Sequence, residues 1–288
     1  MTYSTEMRGT VTATDTPRGL ATLRPARVAY PRAFAALVLR DVHVLGQSLG
    51  LFLLRTAMQP FLLMFVFTYV FPKIGQGVGG SEGSAEFTST LVAGVVGLAI
   101  VFQGIQAVAL PLVQAFGYSK EIEDRVLAPL PTSLVGVQKI FTGTLQGLLA
   151  AVIVFPIAAV VPATAVDLQI NWPVLLTLAP LAAWVASAMG LVMGTKVPPQ
   201  QVSYLFALVV LPLTFLGAIY YPWQALEPIR WLQILVLLNP LVYMCEGFRA
   251  ALTTVEHMAL WAVYGALILF GVVLTWLGVN GFQKRVVT

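Results

Sequence analysis

The sequence predicts an all-α membrane protein. It has six transmembrane helices, an N-terminal amphipathic interface helix and a re-entrant helical segment before the last span. Composition is the first reason, because 58% of the 288 residues are apolar and only 10% are charged, whereas soluble domains have about 45–50% and about 25%. The second is that apolar runs are long enough to cross about 30 Å of hydrocarbon. The third is that basic residues flank those runs.

The N-terminal region divides into a tail and a helix. Residues 1–26 lack the apolar core that a signal peptide needs, and we interpret them as a disordered cytoplasmic tail. Residues 27–48, placed at about 100° per residue, form an amphipathic helix suited to the membrane surface. Asp41 and Arg27 break its pattern. The polar arc contains Arg32, Arg40, His43 and Gln47, and the opposite arc contains Phe34, Val38, Val42, Leu45 and Leu49.

A transmembrane domain of six spans is predicted over residues 49–288. Pro60 is expected to kink the first span. The connection 72–90 is rich in Gly and Ser and is predicted to be flexible, whereas the connection 117–133 is strongly charged. The apolar runs place the six spans at 49–71, 91–116, 134–161, 173–193, 202–221 and 258–279.

The stretch 222–257 differs from the spans. Its two apolar pieces, broken at Asn239-Pro240, are both shorter than the roughly 20 residues that a crossing needs. We therefore predict an external re-entrant segment of two short helices, whose backbone must be shielded by protein. Opposite charges lie three residues apart, a spacing that pairs them on a helix, in Glu227/Arg230 and in Glu246/Arg249.

Lys and Arg counts indicate the orientation. With the N-terminus in the cytoplasm, twelve of the 16 basic residues fall on the cytoplasmic side, Arg55 lies in a span, and only Lys73, Arg230 and Arg249 are external. This bias follows the positive-inside rule. We therefore predict a multi-pass protein of the cell membrane with both termini in the cytoplasm.

Several activities are disfavoured by the residues. The chain has no Gly-Lys dipeptide and hence no P-loop, so any driving ATP must bind another polypeptide. His43 and His257 are far apart, and we recognise no catalytic cluster and no metal site, so we predict a chain that is not an enzyme. Nothing indicates nucleic-acid binding. The six predicted spans contain no Asp or Glu, which disfavours an ion-coupled secondary transporter but leaves that alternative open.

Polar and aromatic side chains in the spans are candidates for a translocation path. Gln103, Gln106 and Gln114 share an arc of the second span roughly 80° wide. They indicate either a polar stripe along a path or, as we favour, hydrogen bonds between helices. Aromatic residues can line a path, although they more often face lipid or the membrane surface. The aromatic candidates are Phe61, Phe65, Tyr204 and Tyr220.

Five stretches together carry a family resemblance. They are Arg40-Asp41, Gln59-Pro60, Glu121-Ile-Glu-Asp-Arg-Val-Leu-Ala-Pro-Leu-Pro131 with Val137-Gln-Lys-Ile140, Pro212-Leu-Thr-Phe-Leu-Gly-Ala-Ile-Tyr-Tyr-Pro222, and Leu238-Asn-Pro-Leu-Val-Tyr-Met-Cys-Glu-Gly-Phe-Arg-Ala-Ala-Leu252. With their order and spacing, over about residues 30–285, they resemble the type-2 ABC exporter permeases. The chain departs from the family at Asp124-Arg125, where Gly-Thr is common, which concerns the detail of the charged loop.

The resemblance implies a permease domain at 49–288 that pairs with a second permease subunit, identical or homologous. Two separate nucleotide-binding ATPase subunits would dock beneath and carry ATP and Mg, and this chain would bind no cofactor of its own. A coupling helix around 118–127, within the loop 117–133, would seat in the ATPase, although a plain solvated loop is the alternative. The residues implied in ATPase coupling are Arg40, Asp41, Tyr118, Lys120, Glu121, Glu123, Asp124 and Arg125.

The resemblance also bounds the cargo. It implies export of a lipophilic or amphipathic molecule, such as a drug-like compound or a lipid, with a polysaccharide or lipid-linked glycan as the alternative. A non-transporting membrane scaffold is a further alternative from a different class. Membrane lipid is expected to surround the spans, and the re-entrant block is expected to centre on Asn239, Pro240, Glu246 and Arg249.

Overall fold

The computed structural model describes residues 26–75, 80–116, 131–163, 166, 168–197 and 201–287, and within them it contains helices and no strands. This confirms the predicted all-α fold class. Most helix bounds lie close to those of the apolar runs. Within the hydrocarbon of the membrane the backbone must pair its own polar groups, and a helix does this. The helices are α1 (Ala26–Gln47), α2 (Leu49–Met64), α3 (Gly80–Gln114), α4 (Thr132–Val160), α5 (Trp172–Lys196), α6 (Val202–Phe215), α7 (Arg230–Leu235), α8 (Pro240–Leu252) and α9 (Leu260–Val287).

Helix α3 is the centre of the bundle. In its most apolar stretch 78% of the residues are buried, compared with 56% in α5 and 11% along Leu49–Lys73. Helix α3 packs against α4, α5 and α8, and α5 also packs against α9. The first span therefore lies at the edge of the subunit, where its apolar side chains face outward.

Glycines allow α4 and α5 to approach their neighbours closely. A Cβ added to Gly190 would lie 2.7 Å from the Ile105 carbonyl oxygen of α3. A Cβ added to Gly143 would lie 2.8 Å from the Ser187 hydroxyl of α5. Such close approaches between helices are what small residues permit in membrane bundles.

Helix α1 packs against α4, and its inward face explains a break in the amphipathic pattern. Arg32 and Arg40 are exposed as expected, and Phe34 lies with its ring centroid 6.1 Å from that of Phe141 on α4. Asp41 also points inward, because Lys139 lies opposite it with Nζ 2.7 Å from Oδ2. The acidic residue that interrupts the pattern is thus a contact to the next helix.

The first span is irregular beyond Pro60. Helix α2 ends at Met64, continues as a π-helix over Phe65–Val70, and closes with a turn at Phe71–Lys73. Pro60 lies inside α2 and cannot donate a backbone hydrogen bond. The irregularity therefore takes the form of a π-helical segment, a feature that is often found at functional sites.

Two predicted element bounds were wrong. The second span was predicted to begin at residue 91, after the connection 72–90, but α3 already begins at Gly80. The fifth span was expected over 202–221, but α6 ends at Phe215 after 14 residues, a length of only about 21 Å. Among the described residues, five helices are long and apolar enough to cross a membrane, and a sixth span is reached only if a bent pair is counted.

That bent pair is the predicted re-entrant segment. The stretches Trp223–Leu238 and Pro240–Leu252 meet at an angle of 102°. Helix α8 is buried against α3, α5 and α9. This shielding is what backbone in a re-entrant segment needs.

Candidate functional site

A network of polar side chains joins α2, α3 and α4 inside the predicted spans. The Arg55 guanidinium donates to Gln106 Oε1 at 2.7 Å, and the Thr56 hydroxyl donates to Gln103 Oε1 at 3.2 Å. The Gln103 amide in turn donates to Gln146 Oε1 at 3.2 Å. The hydrogen bonds between helices that we favoured from the sequence are therefore present.

The same glutamines also line an open cavity of about 320 Å³ between α2 and α3. Gln103, Gln106 and Gln114 all contribute to its wall, together with Arg55. The remaining lining residues are mostly apolar: Leu45, Ser48, Leu51, Phe52, Ala107, Leu110, Pro111 and Gln146. The shared arc on α3 is thus both a helix contact and a cavity wall, while its role in translocation stays a prediction.

A smaller cavity of about 80 Å³ continues along α2 and α3. It shares Arg55, Gln103 and Gln106 with the larger one, and it adds Gln59 and Pro60. Polar atoms therefore follow the groove between the two helices over several turns. Sequence reasoning placed the glutamines on one face but missed Arg55 as their partner, since only the folded bundle brings α2 against that face.

The aromatic candidates separate into two groups. Phe61 and Phe65 are stacked at 5.8 Å between ring centroids, and both are partly exposed on the outer side of the first span. Tyr220 instead packs against Phe67 at 5.3 Å. The side chain of Tyr204 lies outside the part of the chain that the structure describes. The exposed pair fits the lipid-facing alternative, since neither residue lines the two cavities described above.

Helix α1 is held at the start of α4 by a partly buried cluster of polar groups. Asp41 Oδ2 accepts from Lys139 Nζ at 2.7 Å and from the Gln138 amide at 3.0 Å. Arg40 is exposed. The other residues implied in ATPase coupling lie outside the described residues: Tyr118, Lys120, Glu121, Glu123, Asp124 and Arg125. Their role stays a prediction.

Arg285 links α9 to the end of α5 and to Phe116. The sequence analysis had used this residue only to predict the orientation. Its guanidinium donates to the carbonyl oxygens of Thr195 at 2.8 Å and Val197 at 2.9 Å at the end of α5. It also lies 4.6 Å from the ring centroid of Phe116, which packs on Phe282. A cation at a helix C-terminus is stabilised by the unpaired carbonyls there. The end of α9 is thus fastened to α5 and to the residue preceding 117.

The predicted re-entrant segment 222–257 is organised by a buried ion pair. Arg249 Nη1 lies 2.6 Å from Glu246 Oε1, and both side chains are fully buried. The predicted pairing is confirmed, but its backbone partners were not foreseen. Arg249 also donates to the carbonyl oxygens of Ala218 and Tyr221, the latter at 2.9 Å.

Glu246 closes the network from the other side. Its two oxygens accept the backbone N–H groups of Trp223 at 2.7 Å and Met258 at 2.8 Å. Asn239 caps α8, because its Oδ1 accepts from Leu241 N at 2.9 Å, and Pro240 occupies the first helical turn, where the missing donor has no cost. The backbone between Ala218 and Trp223 and the backbone at Met258 are therefore both tied to one pair of charges on α8.

Comparison with known proteins gives one family and a group of relatives. Residues 32–253 match the model of the ABC-2 type transporter family. The chain is similar to proteins described as inner membrane transport permease YadH from Escherichia coli K12, Escherichia coli O157:H7 and Shigella flexneri. Each is 27% identical over 219 residues, covering 75% of this chain and 82% of the relative.

Proposed function

This chain belongs to the ABC-2 type transporter family and is therefore the membrane permease of an ABC exporter, and from that premise we propose that it moves a lipophilic or amphipathic molecule out of the cytoplasm or the inner leaflet. The observation that carries the proposal is the groove between α2 and α3. It combines a row of polar side chains with an apolar wall and opens beside the exposed apolar surface of the first span. An amphipathic molecule matches both kinds of surface at once.

The energy would come from a separate nucleotide-binding ATPase that carries ATP and Mg. Two features support this part of the proposal. Helix α1 is fastened to α4 through Asp41 and Lys139, so a push on α1 would be transmitted to a long helix of the bundle. On either side of 117–130, Phe116 contacts Arg285 of α9 and the long helix α4 begins at Thr132, so this segment is attached directly to the bundle.

The orientation follows from the positive-inside bias of the sequence. We place both termini and the segment 117–133 on the cytoplasmic side of an inner membrane, where a soluble ATPase could reach them. The buried segment around Glu246 would then lie toward the external side. A second permease subunit would complete the translocation pathway, in keeping with the outward-facing apolar surface of α2.

Reconstitution with the native ATPase tests the proposal. The tagged chain is purified from its own membrane with the nucleotide-binding subunit that accompanies it, and ATP hydrolysis is measured in vesicles. Charge reversal by Glu121→Lys or Arg125→Glu is expected to lower transport-coupled hydrolysis about tenfold or more, because like charges would then meet across the docking surface. Lys73→Glu, on the predicted external side, is the matched control and should have little effect.

Two results would contradict the proposal. If both charge-reversal variants kept full ATP-driven transport, the segment 117–133 would not grip the ATPase. If a pH or sodium gradient drove transport in vesicles without ATP, the ion-coupled alternative would replace the exporter.

A further inference from the structure

We propose that the cavity between α2 and α3 binds the anionic headgroup of an amphipathic molecule, a phosphate or a carboxylate, with Arg55 as the charged partner. This inference rests on the proposed export function, because it names the chemical class of the cargo. It requires a cation that is accessible, not neutralised by the protein and placed at the depth of a headgroup. It also requires an apolar surface next to that cation for the tail.

Among the described residues, none that lines the cavity carries a negative charge to balance Arg55. The described lining residues include four glutamines and no Asp or Glu. The hydrogen bond to Gln106 Oε1, at 2.7 Å, is to a neutral amide. An arginine that lies within a predicted span and has no carboxylate among the described residues around it favours an anion from outside the chain.

The geometry of the guanidinium leaves room for a ligand. Arginine has five N–H donors in a planar fork, and the hydrogen bond to Gln106 uses one of them. A phosphate or carboxylate can accept two parallel hydrogen bonds from the remaining edge. The amides of Gln106 and Gln114 lie on the same cavity wall and supply further donors, since each carboxamide carries two N–H groups.

The position of Arg55 suits a headgroup. It lies six residues after Leu49, the first residue of α2, which is about 9 Å along the helix. The charge is therefore near the membrane surface, while the rest of the span extends into the hydrocarbon. The cavity has a volume of about 320 Å³, which accommodates a headgroup but not a whole lipid.

The surroundings suit a tail. Leu51, Leu54 and Met58 flank Arg55 on α2 and are 70%, 60% and 47% exposed. A hydrocarbon chain attached to a headgroup at Arg55 could lie along this surface without leaving an apolar environment. A free anion would gain nothing from these side chains, which is why the structure favours an amphipathic ligand over inorganic phosphate.

Ligand binding to the full chain tests the inference. Dodecyl phosphate is titrated against the purified protein in neutral maltoside detergent, and bound ligand is counted by native mass spectrometry. Arg55→Gln is expected to weaken binding about tenfold or more, because hydrogen bonds to charged groups contribute about 1.5–3 kcal/mol. Arg55→Lys should fall between the two, since it keeps the charge but loses the fork. Lys73→Gln removes a cation at the other end of the same span and should leave the affinity unchanged.

Two further ligands test separately the contributions of the anionic charge and of the apolar tail. Dodecyltrimethylammonium has the same tail with the opposite charge and should not compete for the site. Inorganic phosphate should compete only weakly, because it lacks the tail. If it competes as well as dodecyl phosphate does, the site binds free anions and the amphipathic assignment is wrong.

Gln114→Leu keeps the inference testable if Arg55 variants do not fold. Gln114 is exposed on the cavity wall, so its replacement should lower the affinity for dodecyl phosphate severalfold without disturbing the bundle. The inference falls if a folded Arg55→Gln protein, or a Gln114→Leu protein, binds dodecyl phosphate as wild type does. That result would leave the ATPase-coupling test at Glu121 and Arg125 untouched, so the two proposals can fail separately.

Discussion

Two arginines define two contrasting regions of this permease. Arg249 is fully buried, paired with Glu246 and bonded to backbone carbonyls, and it holds the bent segment before α9 together. Arg55 is exposed in an open cavity and has a neutral partner, and the described residues that line this cavity include no Asp or Glu. The chemistry of the side chain is the same in both places. What distinguishes a structural arginine from a binding one is whether the protein itself supplies the anion.

The largest expected effect lies at the buried Arg249, which we call the closed region; the cavity around Arg55 is the open region. Replacing Arg249 by Met would leave the Glu246 carboxylate buried without its partner, which costs about 3–5 kcal/mol. We expect a large fall in the thermal unfolding midpoint and in the yield of folded protein from the membrane. Thermal unfolding in detergent, followed by light scattering or intrinsic fluorescence, measures it.

The exposed pair Glu227–Arg230 provides the matched control. Its atoms are 3.7 Å apart and its side chains are 78% and 72% exposed, so Arg230→Met should change stability by no more than about 1 kcal/mol. If Arg249→Met and Arg230→Met lowered the thermal unfolding midpoint equally, burial would not explain the importance of the Glu246–Arg249 pair.

Gly94 on α3 provides a second test of how tightly the region around Arg249 is packed. A Cβ added to Gly94 would overlap the carbonyl oxygen of Ile219, which belongs to the stretch that Arg249 holds. Gly94→Ala should therefore force α3 away from that stretch and lower stability by about 1–3 kcal/mol. Chemical denaturation or thermal unfolding of the purified variant measures the change.

Gly50 is the corresponding position beside the open region. It lies between Ser48 and Leu51 of the cavity wall, and an added Cβ would meet nothing within 4 Å. Gly50→Ala should be neutral or slightly stabilising, because alanine favours a helix over glycine by about 1 kcal/mol. A large loss of stability in Gly50→Ala, measured by thermal unfolding, would mean that this position is tightly packed, which would contradict the open region described here.

The sequence predicted the elements that depend on local pattern. Hydropathy located the spans, and the three-residue spacing of Glu246 and Arg249 predicted their pairing. The shared arc on α3 correctly grouped three glutamines along one wall. These features follow from helix periodicity, which is visible without tertiary contacts.

Tertiary contacts decided the features that sequence reasoning did not reach. The run 202–221 is apolar to its end, yet α6 stops at Phe215, and Ala218 has a φ of 52°, while its carbonyl and that of Tyr221 are bonded to Arg249. Nothing in the local pattern specifies a partner about 30 residues further on. Likewise, Arg55 joins the glutamines only because α2 packs against α3.

A last, modest effect concerns the contact between α1 and α4. It decides whether Asp41 resembles Arg249, whose partner lies within the chain, or Arg55, which is open to a partner outside it. Asp41 and Lys139 are 19% and 11% exposed and 2.7 Å apart, so the pair is closed within the chain. A double-mutant cycle with Asp41→Asn and Lys139→Met should give a coupling energy of about 1 kcal/mol in thermal unfolding without any ATPase present. The hydrogen bond from Gln138 to Asp41 is expected to remain in the Lys139→Met variant, so its contribution should largely cancel in the cycle. The opposite result would be a coupling energy that is absent in the isolated chain and appears only when the ATPase is bound. It would mean that Asp41 contacts the ATPase, as the family resemblance implied. Asp41 would then belong with Arg55 among the charges that bind a partner outside the subunit.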